Sequence, residues 1–121
     1  MALHHPVPGV PLRLSTDASD IALGAALDQM VAGIWQPLGF YSRHFTAAER
    51  NYSTFDRELC AAYHSVRHFK HILEGSCFQL QLDHKPLVQA FAKISDPWSG
   101  RQARILQDLS EFSLEPVFIP G

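Results

Sequence analysis

The sequence predicts one α/β domain, a five-stranded mixed sheet with helices packed on it. Three observations carry this. Apolar and polar side chains alternate residue by residue near the start of the chain and again after residue 77, the signature of half-buried strands. Between these stretches runs a long apolar stripe at helical spacing. The chain has 121 residues and is 46% hydrophobic, which suits one real core and leaves no room for two.

The elements follow in order. Leu12 and Leu14 alternate with Arg13 and Ser15, with Asp17 in the polar phase, giving a first strand. Ile21 to Leu27 is apolar and small, with Gly24, Ala25 and Ala26, as in a strand closely approached by neighbours. Asp28 to Gly33 is expected to turn the chain. Ile34 to Ser42 then offers a third strand, rich in aromatic β-formers, whose internal Pro37 points to an edge position or a bulge. Short links between the three imply an antiparallel meander.

The period then changes. Thr54 is placed to cap a helix that Gly75 closes, and Phe55, Leu59, Ala62, Val66, Phe69 and Leu73 fall within about 40° of one direction on its wheel. Phe78, Leu80 and Leu82 alternate with Gln79, Gln81 and Asp83 as a fourth strand. A short helix from Pro86 to Phe91 follows, then a loop around Asp96-Pro97 and a second amphipathic helix from Arg101 to Phe112. Ile105, Leu109 and Phe112 should face inward there, and Leu114 to Ile119 reads as a last strand. The order is β-β-β-α-β-α-α-β.

Composition excludes several classes. Charged residues make up 18%, too few for a disordered tail, and no window approaches the roughly 18 uninterrupted apolar residues of a membrane span. The opening Met-Ala-Leu-His-His-Pro lacks the charged-then-apolar layout of a secretory signal. A net charge of −2 argues against a protein that lives on non-specific phosphate attraction, without excluding an enzyme that touches nucleic acid along one face. Cys60 and Cys77 are two lone cysteines without metal-ligand spacing, read as reduced thiols of an intracellular protein.

Asp17 and Asp83 occupy equivalent places, each ending a strand in its polar phase. A helical crossover lets the fourth strand lie parallel to the first, and both carboxylates then emerge at the carboxyl edge, where open α/β sheets place their sites. Glu58 lies about 60° from the centre of the helical stripe, in the first turn, held against the sheet. Three convergent carboxylates repel one another and are stable mainly around a cation. A hard ion such as Mg²⁺ takes oxygen ligands and keeps several waters. Two such ions about 3.5–4 Å apart activate a water and stabilise the leaving oxygen in phosphodiester cleavage. Taken singly, an Asp at a strand end is more often a turn former or a helix cap, and a Glu in a helix's first turn is more often a dipole partner.

The words around these residues are more specific. Leu14-Ser15-Thr16-Asp17-Ala18-Ser19-Asp20, Gly24-Ala25-Ala26-Leu27-Asp28-Gln29, Pro37-Leu38-Gly39-Phe40-Tyr41-Ser42-Arg43, the stretch from Ala48 to Leu59, and Leu82-Asp83-His84-Lys85-Pro86-Leu87 occur in that order. Together they resemble the ribonuclease H domain of gypsy-class LTR-retrotransposon reverse transcriptases, part of the Pol polyprotein, over nearly the whole chain. The resemblance implies a ribonuclease-H-like sheet in the order 3-2-1-4-5. It implies a metal-dependent endonuclease that cuts the RNA strand of an RNA–DNA hybrid, with Asp17, Glu58 and Asp83 as catalytic ligands of Mg²⁺ (Mn²⁺ as the alternative) and no small-molecule cofactor. Its partners would be the hybrid and the polymerase portion of the same polyprotein, in a cytoplasmic particle or the nucleus, with no membrane. Residues 1–11 then read as the tail of the polymerase connection and residues 12–121 as the ribonuclease H domain lacking its last helix, which in the family carries a fourth catalytic Asp. Weak or absent activity is therefore expected of this chain alone. A catalytically inactive relic serving as a binding or scaffold domain is the competing reading.

For phosphate contact, Arg43 and Lys85 follow the family motifs and Arg101 and Arg104 open the later helix. Ser19 is placed to meet a 2′-hydroxyl, which discrimination of RNA requires. His64, Arg67, His68 and His71 lie opposite the apolar stripe and read as a solvated helix face rather than an anion-binding one, because histidine is mostly neutral at pH 7. Their spacing permits zinc, but no supporting partner is evident. Trp35, Trp98 and Tyr52 read as core or rim packing.

Overall fold

The structure, a computed structural model, describes residues 3–93 and 98–121, so the loop expected around Asp96-Pro97 lies outside the described residues. Strands β1 (Leu12–Ala18), β2 (Ala22–Val31) and β3 (Ile34–His44) form the expected meander. Then come α1 (Ala47–Arg50), α2 (Thr54–His68), α3 (Lys70–Leu73), β4 (Cys77–Leu82), α4 (Lys85–Phe91), α5 (Gly100–Ser110) and β5 (Ser113–Phe118). The sheet order is β3-β2-β1-β4-β5, with β1–β4 and β4–β5 parallel. This is the order expected from the motifs.

The alternation along β1 resolves into a buried phase of Leu12, Leu14 and Thr16 and a polar phase of Arg13, Ser15 and Asp17. Leu12 and Leu14 register with Phe78 and Leu80 of β4, so one face of the central pair is apolar. Leu59, Ala62 and Val66 of α2, Phe69, and Leu73 of α3 bury that face, joined by Leu87 and Ala90 of α4 and Leu106 and Leu109 of α5. At roughly 1.5–3 kcal/mol per buried large side chain, this one layer is the main source of stability.

Four local expectations are corrected. First, Asp28 to Gly33 is not all turn: β2 runs to Val31, and Ala32 and Gly33, both with positive φ (53° and 78°), make a two-residue hairpin. Asp28 stays in the strand because Arg13 lies opposite and ion-pairs with it at 3.0 Å. Buried Gln29 stays because its amide accepts from Val7 N–H and donates to the His5 carbonyl, pinning the N-terminal segment to the sheet. Second, the long helix begins one residue earlier in its cap, where Ser53 Oγ accepts from Asp56 N–H, and it breaks at Phe69 into α2 and α3. Third, α5 buries Leu106 with Leu109, while Ile105 and Phe112 pack only partly. Fourth, α1 was not anticipated. It is one turn with a capping box: Thr46 accepts from Glu49 N–H, and the Glu49 side chain accepts from Thr46 N–H.

Pro37 lies on the edge strand, and the β2–β3 register slips there, Leu27 facing Gly39 and Asp28 facing Pro37. Both readings of Pro37 hold. The slip sets Gly39 beneath the buried ring of Phe69: a Cβ there would stand 2.7 Å from the ring. Gly39→Ala is therefore expected to cost about 1–3 kcal/mol in chemical denaturation, with Phe69→Leu recovering part of the loss in a double-mutant cycle. Additive losses would show that the contact does not limit this position.

Arg43 of β3 donates to both Glu49 oxygens, at 2.9 and 3.1 Å, and so docks α1. The guanidinium holds the Glu49 carboxyl at about 2, below its ordinary 4.5. Its share of the stability is fully present above about 4.5 and is lost as pH falls through about 2. Glu49→Gln should lower neutral-pH stability by on the order of 2 kcal/mol and flatten the acid limb of the stability profile. An unchanged acid limb would assign that slope to other carboxylates.

Candidate metal centre

The parallel ladder of β1 and β4 ends with Ser15 opposite Gln81, whose side chains hydrogen-bond at 3.1 Å. Two residues further on come Asp17 and Asp83, so the register itself sets them side by side. From the helical layer, α2 delivers Glu58 one turn beyond its cap, buried at 5% exposure. Carboxylate oxygens of Asp17, Glu58 and Asp83 all lie within 4.8 Å of one another. The convergence expected from strand ends and helix wheel is present.

The environment of Glu58 is electrostatically costly. Its Oε2 is buried with no hydrogen-bond partner. Burial first, then the charges of Asp83 and Asp17, push its carboxyl up to about 7, against the opposing pull of the Ala18 N–H and Arg57. Asp17 and Asp83 are exposed, and Asp17 Oδ1 accepts from Ala18 N–H at 2.9 Å. An orphaned buried oxygen facing two exposed carboxylates is an all-oxygen donor set open to water on one side. That chemistry fits a hard divalent ion, Mg²⁺ or Mn²⁺. The chain also returns here after β5: Ile119 N–H donates to Leu82 O at 2.8 Å, and the Gly121 backbone lies against Asp83.

The residues expected to meet phosphate are dispersed. Lys85 is exposed two residues beyond Asp83, at the start of α4. Ser19 lies two residues beyond Asp17, but its hydroxyl closes the β1–β2 turn, accepting from Ile21 and Ala22 N–H and donating to Ala22 O. Arg43 has its fork occupied by Glu49. Arg101 lies 4.1 Å over Tyr52 and pairs with Asp56 at 3.4 Å, while Arg104 is exposed one turn on. The aromatic residues pack as expected: Trp98 stacks on Phe55, and Trp35 lies under Arg13.

Sequence reasoning missed a second group. Arg67, His68 and His71 are exposed as expected, but His64 is half-buried and turned toward Glu49 and Cys60. The three present ligand atoms within 4.8 Å of one another, so Cys60 is not isolated from other metal-ligating groups. The Thr46-x-x-Glu49 capping signature was the available clue, since it places α1 against this flank of α2. Arg57 was also overlooked. It donates to Tyr52 O at 2.7 Å and reaches Asp20 at 3.5 Å, beside the acidic cluster.

Known proteins share both the sequence and the fold. The family described as RNase H-like domain found in reverse transcriptase matches residues 7–112. The Transposon Tf2-3 polyprotein of Schizosaccharomyces pombe is 37% identical over 111 residues, which is 89% of this chain and 8% of that polyprotein. The chain thus spans under a tenth of the length of the curated relatives it matches. Among solved structures, the foamy viral protease-reverse transcriptase in complex with dsDNA aligns with a TM-score of 0.77 at 15% identity, over 97% of this chain and 25% of that one. The N-terminal RNase H domain of a Mycobacterium tuberculosis protein aligns with a TM-score of 0.62 at 13% identity, over 93% of this chain and 84% of that one. At such identities the structural likeness speaks for the fold, a ribonuclease-H-like sheet in the order 3-2-1-4-5. With the family match over most of its length, the chain belongs to the RNase H-like domains found in reverse transcriptases.

Proposed function

We propose that this chain is the nuclease domain of a gypsy-class retrotransposon reverse transcriptase, cutting the RNA strand of RNA–DNA hybrids with a divalent ion held by Asp17, Glu58 and Asp83. The observation that carries this reading is the buried, unpartnered Glu58 Oε2 facing two exposed carboxylates within 4.8 Å. When bound, Mg²⁺ supplies Lewis-acid stabilisation of the phosphate and a water of lowered pKa. Asp17 and Asp83 fix the ion at the sheet edge, and Glu58, locked by its helix, fixes it from the other layer. Lys85, beside Asp83, meets the phosphate backbone, with Arg101 and Arg104 extending the track along α5. Arg43 serves this role only by leaving Glu49, and Ser19 meets a 2′-hydroxyl only by giving up its turn.

The hybrid and the polymerase portion of a shared polyprotein are the proposed partners, in a cytoplasmic particle or the nucleus. The kinship with the Tf2-3 polyprotein supports the second partner. The fold shared with a foamy viral protease-reverse transcriptase solved in complex with RNA/DNA hybrid is compatible with the first. Among the described residues no helix is long and apolar enough to cross a membrane. Residues 1–11 fit the end of a polymerase connection, hydrogen-bonded to Gln29 and, through His4, to Pro37. A fourth carboxylate following Gly121 would enter beside the cluster, because Gly121 lies against Asp83.

With end-labelled RNA in a hybrid, Mg²⁺-dependent cleavage is expected. Asp17→Asn or Asp83→Asn should reduce it by on the order of 10²-fold or more, and chelation should abolish it. Cleavage indifferent to both variants sinks the assignment. Ion and hybrid binding without any cleavage favours the binding or scaffold reading instead.

The raised Glu58 sets the pH dependence. An ion entering the cluster expels the Glu58 proton, so Mg²⁺ affinity should fall roughly tenfold per pH unit below about 7 and level off above it. Calorimetric titration across this range checks it, with Glu58→Gln expected to bind more weakly and with a flatter profile.

A further inference from the structure

We propose that Glu49, Cys60 and His64 form a second metal site, separate from the acidic cluster, which takes one Zn²⁺ ion and staples α1 to α2. The three bring the donor types zinc prefers, a carboxylate oxygen, a thiol sulfur and an imidazole nitrogen, within 4.8 Å of one another. Cys60 and His64 are four residues apart on α2 and therefore share one face. Glu49 comes from α1, where its capping box and the Arg43 fork fix its carboxylate. A cavity of about 140 Å³ lined by all three, with Tyr52, Tyr63 and Arg101 among its walls, leaves space for a water as fourth ligand.

The geometry of one contact is telling. Cys60 Sγ donates to Glu49 Oε2 at 3.4 Å. An ion at ordinary zinc distances, about 2.3 Å from sulfur and 2.0–2.2 Å from oxygen, placed between these atoms would subtend roughly 100°, close to tetrahedral. The thiol proton thus stands where the ion would. On binding, the Zn–S bond replaces the S–H bond and the proton leaves to solvent, with no change of oxidation state.

Arg43 shapes the selectivity. Its two nitrogens sit on the Glu49 oxygens at 2.9 and 3.1 Å, and one lies 4.0 Å from Cys60 Sγ. A hard ion gains only one carboxylate here, against an adjacent guanidinium, whereas zinc also gains a thiolate and an imidazole. Mg²⁺ is thereby directed to Asp17, Glu58 and Asp83, and zinc to the flank of α1. Retained on Glu49, Arg43 holds that ligand in place, as supporting groups do in zinc sites.

The probe is Co²⁺ titrated into the full chain with excess Mg²⁺ present, followed by displacement with Zn²⁺. One equivalent should bind, with a thiolate-to-cobalt charge-transfer band and tetrahedral d–d absorption that zinc abolishes, and zinc should raise the melting temperature. Cys60→Ser and His64→Gln should each weaken binding about tenfold or more, while far-ultraviolet circular dichroism and Mg²⁺ affinity stay unchanged. Asp17→Asn with Asp83→Asn should leave the cobalt spectrum intact, which separates this site from the acidic cluster. The absence of a thiolate band in the unmodified chain overturns the proposal. So does a band that survives Cys60→Ser, which would point to Cys77, or cobalt binding that is lost only with the aspartates. Should Cys60→Ser not fold, the unmodified spectrum and the half-buried His64→Gln position decide the matter.

Discussion

The parallel pairing of β1 with β4 is the constraint on which the rest of the architecture depends. Parallel neighbours cannot be joined by a tight turn, so the chain must cross between them through a long connection. Here that connection contains β2, β3 and the helices α1 to α3, and α2 lies across β1 and β2. Two consequences follow from the same pairing. The registered faces of Leu12, Leu14, Phe78 and Leu80 create the surface that α2 buries, and two residues past the last registered pair Asp17 meets Asp83. Core and acidic site are products of one ladder, so a slip in its register would disturb both.

Glu58 shows where stability and function oppose each other. On the same helix Leu59 and Ala62 are wholly buried against the sheet, and that packing carries Glu58 into a setting where its Oε2 has no donor. An ionised carboxylate there is disfavoured by burial and by two neighbouring charges, and the carboxyl accordingly rises to about 7. The fold supplies no lysine or arginine hydrogen bond to relieve it among the described residues, although Arg57 is near. A site relieved by an internal cation would be stable and inert. One left electrostatically strained favours a divalent ion over a proton at and above neutral pH.

How much of this was legible in the sequence depended on which surface an element faced. Strands packed on a single face declared themselves by alternation, and the α2 stripe of Leu59, Ala62 and Val66 by its period, because one partner surface dictates one pattern. Asp17, Glu58 and Asp83 could be placed by phase alone, and the surrounding motifs made their grouping specific. Asp28 and Gln29 were misread as turn because their strand positions rest on long-range partners, Arg13 and the N-terminal segment. No local pattern records such partners. His64 was misplaced for a related reason. A helical wheel defines one inside, but α2 has a second neighbour in the single-turn helix α1, held by Arg43 and Glu49.

That second neighbour gives α2 two chemistries two residues apart. Glu58 faces oxygen donors from strand ends, and Cys60 faces a carboxylate, an imidazole and a guanidinium on the flank toward α1. Adjacent positions on a helix differ by about 100° in direction, so residues 58 and 60 diverge widely and their environments remain distinct despite their nearness in sequence. Charge keeps them distinct as well. The acidic cluster concentrates negative charge with no cation bonded to its buried oxygen, whereas the Glu49 carboxylate is already met by Arg43 on both oxygens. Hard ions follow uncompensated oxygen charge and borderline ions follow sulfur and nitrogen, and the two flanks of this helix offer these different donor types.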